Sequence, residues 1–538
     1  MKTQFVLLLC LTFQNVANSQ FDSRKNVLFL VADDLRPNLG FYDNSGLFNS
    51  QPMQTPNLDK LSEKSIVFDM AYCQTALCGP SRASFLTSRR PDTTHVHENK
   101  PLFRDVGGNF TTIPGFFRNH GYKTIGVGKI FHNTNNNTHK DDVAYSWSEH
   151  MFHAKDHDIH NMSYTLVSEE EMEKKPLRDT VQTNYAIEKL REMAPNALLG
   201  VEPFFLALGI HKPHLPWDFP AEFYHKYSHD DMELPYNIHC PTEMPNSAWG
   251  DFSNVRENYY DCSNEAMGIP ELGQINVTYP HWKIKQMRRS YYASVSYMDH
   301  EFGRLLDELE LLGLAENTII VFFGDHGYQL GEHAEWVKWN NFDITARAPL
   351  MLNVPGKTDL GKSIHTKKLV EFVDILPTLA EAAELPVVET CPENSNEIET
   401  CTEGTSLIPL IDNPEMESWK SAVFYQRGYG WWNTWNVSGI HMAYNIRTED
   451  WRYTEYVFMT DNGDNTVSYT PDWDNHSDDS ELYDHAKDPL ETVNLYNKPE
   501  YEEVRRELQD RLRAGWREEI LKEDEQGGIR KKKGRLQN

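Results

Sequence analysis

This sequence predicts an α/β sandwich on a large, mostly parallel sheet, followed by a smaller antiparallel unit, and three observations carry that prediction. Asn26–Ala32, Phe204–Ile210 and Thr318–Gly324 are apolar runs of strand length without polar alternation, as in strands covered on both faces, and Lys123–Gly128 is a shorter example. Helical patterns recur between these runs. After Cys401 the pattern changes to short aromatic and β-branched stretches broken by Gly and by Asp461-Asn462-Gly463-Asp464.

Taken in order, the helical stretches begin at Cys78, where Pro80 suits a first turn. Lys283–Leu312 carries Met287, Tyr291, Val295, Met298, Phe302, Leu305 and Leu309 at helical spacing, with Gly313 as its cap. Val370–Leu385 reads as a further helix, kinked or started near Pro377. Residues 421–475, with Trp431, Trp432, Trp435, Trp451 and Trp473, read as the antiparallel sheet. A charged helix follows from Pro499 to about Lys522, and the basic run Arg530–Arg535 reads as a disordered end. The expected divisions are a signal peptide over 1–19, a catalytic domain over 20–415 and a smaller C-terminal subdomain over 416–538.

Composition narrows the function classes. With 538 residues and 39% hydrophobic content, a large packed interior is available. The formal net charge of −28 argues against a nucleic-acid binder and against general attraction to polyanions, so an anionic substrate must be drawn to a local basic site. Met1–Ser19 has an early lysine, an apolar run from Phe5 to Phe13 and small residues at Ala17 and Ser19, the pattern of a secretory signal peptide. No later stretch is long and apolar enough for a membrane span. Six sequons, at Asn109, Asn136, Asn161, Asn276, Asn436 and Asn475, fit a glycoprotein of that route, lysosomal or secreted.

The chemistry sits at the ends of the strands. The first run closes on Asp33-Asp34, two adjacent carboxylates that need a cation or an arginine at the end of a buried strand. Lys129 and His132 follow the second run, His211-Lys212-Pro213-His214 the third, and Asp325-His326-Gly327 the fourth. In open α/β sheets ligands bind beyond the carboxyl ends of the strands, so groups far apart in sequence can converge there. Cys78-Gly79-Pro80-Ser81-Arg82 places a thiol at a helix N-terminus, beside free N–H groups and an arginine about one turn on, a corner that suits a nucleophile and an anion. The plainer alternative is an inert cysteine beside a helix start. Of the seven cysteines, Cys10 leaves with the signal peptide, Cys391 with Cys401 is the expected disulfide, and Cys240 with Cys262 is a second, weaker pair that leaves Cys73 free.

Cys78-Gly79-Pro80-Ser81-Arg82 is similar to the signature of the type I, formylglycine-dependent sulfatases. Cys78 with Arg89-Arg90-Pro91-Asp92-Thr93-Thr94, Gly128–His132, His211–His214, Ser290–Tyr297, Gly331–Lys338, and the late Ile446-Arg447-Thr448 and Trp451–Thr454 resemble the iduronate-2-sulfatase subgroup over essentially the whole mature chain. The segment His95–Lys100 departs from that subgroup. The resemblance implies an alkaline phosphatase-like sandwich and conversion of Cys78 to Cα-formylglycine by a formylglycine-generating enzyme. It implies a Ca²⁺, or alternatively a Mg²⁺, held by Asp33, Asp34, Asp325, His326 and the residue 78 side chain, with His326 where many sulfatases carry Asn. Arg82 would steady the hydrated aldehyde, Lys129 and Lys338 would clamp sulfate oxygens, and His132 and His211 would carry protons, His211 toward the leaving group. The implied substrate is the 2-O-sulfate of iduronate at the non-reducing end of heparan and dermatan sulfate. The competing readings are a sulfatase of other specificity, phosphoryl transfer on the same scaffold, and a non-catalytic glycan-binding protein.

Overall fold

The computed structural model describes residues 24–42, 53–132, 140–155, 161–429, 441–459, 471–520, 522–523 and 529–530. The signal peptide, Asn136, Asn436, Trp431, Trp432, Trp435 and the basic run after Arg530 lie outside the described residues.

The central sheet has seven strands: β1 (Asn26–Ala32), β2 (Ile66–Tyr72), β3 (Lys123–Gly128), β4 (Phe204–Ile210), β5 (Thr318–Gly324), β6 (Leu350–Asn353) and β7 (Ile364–Glu371). Their spatial order is β7-β2-β6-β5-β1-β4-β3, and only β6 runs against its neighbours. The alkaline phosphatase-like, mostly parallel sheet is therefore present, with one reversed strand. Because successive side chains of β1 point to opposite faces, Val27, Phe29 and Val31 enter one core while Leu28, Leu30 and Ala32 enter the other. Both faces are covered, which is why the run reads as continuously apolar. Phe29 packs its ring 5.2 Å from that of Phe323 and 5.6 Å from that of Phe205. Truncating such a side chain to alanine costs about 3–5 kcal/mol.

Six helices matter for the site: α1 (Pro56–Ser62), α2 (Cys78–Thr87), α3 (Arg178–Leu198), α4 (His281–Leu311), α5 (Ile375–Ala382) and α6 (Glu502–Ala514). Helices α3 and α4 cover one face, burying Leu190 and Met193 from α3 and Tyr291, Met298 and Leu305 from α4. The other face is covered by α2 and α5, through Phe85, Leu86, Leu376 and Leu379. The second sheet is an antiparallel meander, β8 (Ala422–Tyr429), β9 (His441–Thr448), β10 (Trp451–Phe458) and β11 (His476–Asp484), against which α6 packs Leu508 and Leu512.

Three expectations need correction. Val370 belongs to β7, and the helix starts at Ile375, so that Pro377 stands in its first turn, where a missing N–H costs no hydrogen bond. The last helix ends at Ala514 rather than near Lys522, because Gly515 takes a φ of 78° that turns the chain away. Cys240 and Cys262 are both free. Cys240 has its N–H on Asn276 Oδ1 at 3.0 Å and its thiol on the His333 carbonyl at 3.3 Å, whereas Cys262 is buried with its carbonyl accepting from Tyr279 Oη. The expected bond between Cys391 and Cys401 is present, and Cys73 is free.

Candidate active site

Parallel register aligns the strand ends. Ala32 of β1 lies opposite Ile210 of β4 and Gly324 of β5, and Gly128 of β3 lies opposite Gly209. The next residues, Asp33, His211, Asp325 and Lys129, therefore leave the sheet along one edge. Two glycines let the strands close there. A Cβ at Gly128, where φ is 75°, would lie 2.1 Å from the Gly209 carbonyl, and one at Gly209 would lie 2.1 Å from that of Lys129.

Cys78 is the first residue of α2 and faces this edge. Its Sγ lies 3.3 Å from Asp33 Oδ1, 3.3 Å from His326 Nε2, 3.2 Å from Lys338 Nζ and 3.9 Å from Asp34 Oδ1. Lys129 Nζ donates to Asp33 Oδ2 and Lys338 Nζ to Asp34 Oδ1. Arg82 Nε and Nη2 both lie 3.0 Å from Asp325 Oδ2, Nη2 also lies 3.4 Å from Asp33, and Nη1 donates to the Lys129 and Ile130 carbonyls. Asp325 Oδ1 accepts from the Asp34 N–H at 3.0 Å. Three cations thus face three carboxylates in a buried site.

Electrostatics follow from that arrangement. Burial pushes the Asp33 carboxyl up, but Lys129, His214, Arg82 and Lys338 outweigh it and hold the group well below the usual range. Asp34 is lowered in the same way against its burial, chiefly by Lys338. Asp325 moves the other way, because burial outweighs its cationic neighbours. Burial raises the Cys78 thiol. It also takes His132 down to about 3 and His211 well below the histidine range, and Arg178 and Lys129 add to the fall of His211. Mildly acidic titration of His211, expected from a free imidazole, therefore does not describe this site without substrate.

Asp33, Asp34, Cys78 and His326 place donor atoms within 4.8 Å of one another, all buried. The His326 Nδ1–H donates to the Gly327 carbonyl at 2.8 Å, which leaves the Nε2 lone pair facing the group. Hard carboxylate oxygens with one imidazole fit Ca²⁺ or Mg²⁺. An added divalent ion would also turn a locally balanced site positive, as an anionic ester requires. Asp325 stands beside this group, its Oδ1 3.6 Å from His326 Nε2, with its other oxygen turned to Arg82.

The profile of the family described as "Sulfatase" matches residues 25–385. The chain belongs to the sulfatase family. A second profile, "N-sulphoglucosamine sulphohydrolase, C-terminal", matches residues 331–518. This sulfatase is 35% identical to the iduronate 2-sulfatase of Mus musculus, over 91% of this chain and 94% of that one. It is 34% identical to that of Homo sapiens, over 89% and 92%. A solved structure in complex with its substrate D-glucosamine-2-N,6-O-disulfate superposes with a TM-score of 0.65 at 22% identity, over 92% of this chain and 98% of that one. The phosphonate monoester hydrolase of Agrobacterium radiobacter gives 0.64 at 19% identity, over 95% and 100%. Both solved structures share the fold. The sulfatase is a sulfuric ester hydrolase of the iduronate 2-sulfatase-like kind.

Several residues that hold the site of this sulfatase carry no signal of their own in the sequence. Asp179 at the start of α3 accepts the N–H groups of His211 and Lys212, both at 3.0 Å, and so fixes the turn after β4. The Tyr291 hydroxyl donates to the Asp34 carbonyl at 2.6 Å and accepts from the Arg36 N–H, holding Asp34 at a φ of 64°. Asn99, from the divergent segment, accepts the Gly79 N–H at 2.8 Å and satisfies an open donor at the start of α2. His214 was visible in His211-Lys212-Pro213-His214. Its Nε2 lies 3.9 Å from Asp34 Oδ2, and burial lowers it to about 4 although Asp34 pulls it up.

Proposed function

We propose that this sulfatase removes the 2-O-sulfate of iduronate at the non-reducing end of heparan and dermatan sulfate, with residue 78 acting as formylglycine. The observation that carries the reading is the convergence of Lys338, His326 and Asp33 on one atom of residue 78, at 3.2–3.3 Å. In the mature enzyme an oxygen of the hydrated aldehyde stands for that sulfur.

One hydroxyl of the gem-diol gives its proton to the Asp33 carboxylate, which lies 3.3 Å from that position, and forms a bond to sulfur while the bond from sulfur to the sugar oxygen breaks. His211 gives a proton to the departing alcohol, and Lys129 and Lys338 meet the charge on the sulfate oxygens. His132 accepts the proton of the second hydroxyl. The carbonyl then re-forms, its bond to the sulfate oxygen breaks, and sulfate leaves without attack by water at sulfur. Hydration of the aldehyde restores the gem-diol. A Ca²⁺, with Mg²⁺ as the alternative, held by Asp33, Asp34, Asp325, His326 and residue 78, supplies positive charge against the sulfate and lowers the proton affinity of nearby oxygens. Because neighbouring cations and burial hold His211 neutral, its proton arrives with the anionic substrate, whose charge opposes both effects. Turnover accordingly declines as pH rises above neutral.

A secretory route to the lysosome or the exterior is part of the same reading. Asn109, Asn161, Asn276 and Asn475 are exposed, as glycan acceptors must be. Among the described residues no helix is long and apolar enough to cross a membrane.

Defined sulfated disaccharides test the proposal. A terminal 2-O-sulfated iduronate should be desulfated and the same unit placed internally should not. Activity should disappear on chelation and return with Ca²⁺, and an aryl phosphate should be a far poorer substrate than an aryl sulfate. Equal cleavage of the terminal and internal units would defeat the exo-acting iduronate reading.

A further inference from the structure

Where the segment Gln329–Arg347 meets the turn Pro489–Glu491 of the C-terminal unit lies a cavity of about 30 Å³, lined among others by Asn237, Glu332, His333, Asp343, Arg347 and Glu491. Each of its three carboxylates already has partners. Glu332 Oε1 accepts from Arg36 and Arg288, and its Oε2 from the Leu330 N–H. Asp343 Oδ1 accepts from Tyr72 Oη and Arg447 Nε. Glu491 Oε1 meets Arg452 and His485, and its Oε2 takes the Asp343 N–H.

Arg347 is the exception. It is 7% exposed, its Nε is buried without a hydrogen-bond partner, and among the described residues its guanidinium forms no ion pair. The lining charges and their ion-pair partners comprise five guanidiniums, Arg36, Arg288, Arg347, Arg447 and Arg452, against four carboxylates, Glu332, Asp343, Glu481 and Glu491. A guanidinium cannot shed its proton to relieve burial, and the carboxylate that Arg347 acts on, Asp343, is already held by Arg447, so the cluster carries one positive charge more than it has carboxylates. A cavity needs about 10–15 Å³ to hold one water, so this one has room for a small inorganic ion and none for an organic acid.

We propose that this cavity binds a small monovalent inorganic anion, chloride in the first instance, on Arg347. Such an ion joins the segment that carries Lys338 to the turn at Leu490, and so stabilises the seam between the core and the C-terminal sheet.

Thermal unfolding at constant ionic strength, with sodium chloride, sodium sulfate or sodium gluconate, tests this. Chloride should raise the wild-type midpoint over gluconate by roughly 1–3 °C. Arg347→Gln should abolish that rise, and Arg347→Lys should retain part of it. No chloride-dependent rise in the wild type, or an equal rise in Arg347→Gln, overturns the proposal, and a rise with sulfate alone overturns the monovalent assignment. Should Arg347→Gln fail to fold, bromide anomalous scattering from the wild-type enzyme decides. A peak beside the guanidinium supports the site, and peaks only elsewhere exclude it.

Discussion

At the candidate active site, Asp33, Asp34 and Asp325 face Arg82, Lys129 and Lys338; at the seam below the antiparallel sheet, Asp343, Glu481 and Glu491 face Arg447 and Arg452. Both clusters are buried. At the seam, guanidinium forks span several partners: Arg452 reaches Glu481, Glu491 and Thr454, and Arg447 reaches Asp343 and the Thr448 carbonyl. Each carboxylate there is held by a guanidinium, and the result is architecture. At the candidate active site two of the three cations are lysines, compact point charges on flexible stems, and Lys338 meets Asp34 and residue 78 at once. A closed fork holds two segments together, whereas a point charge shared with a reactive atom can follow charge as it develops. Burial of an ion pair alone therefore does not mark function; the atom on which the donors converge does.

Breaking that atom should have the largest effect. Cys78→Ala removes the nucleophile without removing a charge, and turnover should fall on the order of 10⁶-fold with the unfolding midpoint nearly unchanged. A pair of variants then tests the comparison itself. Lys338→Ala should lower kcat on the order of 10²–10³-fold, as loss of one donor to developing charge does. Arg452→Ala should leave kcat of the folded fraction intact but destabilise the fold by about 3–5 kcal/mol, because Glu481 would be left buried without its ion pair and Glu491 with His485 alone. If Arg452→Ala depressed kcat as strongly as Lys338→Ala, the division between the clusters would be wrong.

The smallest effect concerns pH. Asp92 bridges the core and the C-terminal sheet through Gln426 Nε2 at 2.6 Å and Tyr444 Oη at 3.3 Å, and burial raises its carboxyl to about 7. An unfolded aspartic acid titrates near 3.8, so between about 4 and 7 the folded chain holds a proton that the unfolded chain has lost. The contribution of Asp92 is full below about 4 and is lost as pH rises through 7. Asp92→Asn should therefore gain stability relative to the wild type as pH rises from 4, with the difference levelling off above 7. A difference that stays flat with pH would mean that Asp92 is ionised throughout.

How far the sequence reached depended on whether a signal was local. The strand ends were legible because β1, β4 and β5 are buried on both faces and so read as unbroken apolar runs that stop at their charged residues. Cys78 was legible because Pro80 and Arg82 fix a helix start around it. The supports of the site were not legible. Asp179 acts on His211 across 32 residues and Tyr291 on Asp34 across 257, and nothing near either residue announces its partner. Cys240 and Cys262 lie close in sequence but are anchored by Asn276 and Tyr279 with other partners, whereas Cys391 and Cys401 close a loop whose backbone is already paired, Cys391 N–H to the Thr402 carbonyl. The end of α6 turned on Gly515, one residue whose effect a charged helical pattern masks.

The central claim is that residue 78 works as an aldehyde hydrate at the point where Asp33, His326 and Lys338 meet. Mass spectrometry of the peptide spanning residue 78, taken from protein whose specific activity has been measured, tests it directly. The peptide should carry the mass of the side chain with sulfur replaced by oxygen and two hydrogens fewer, in proportion to activity across preparations. Fully active protein carrying only the unmodified Cys78 thiol would contradict it.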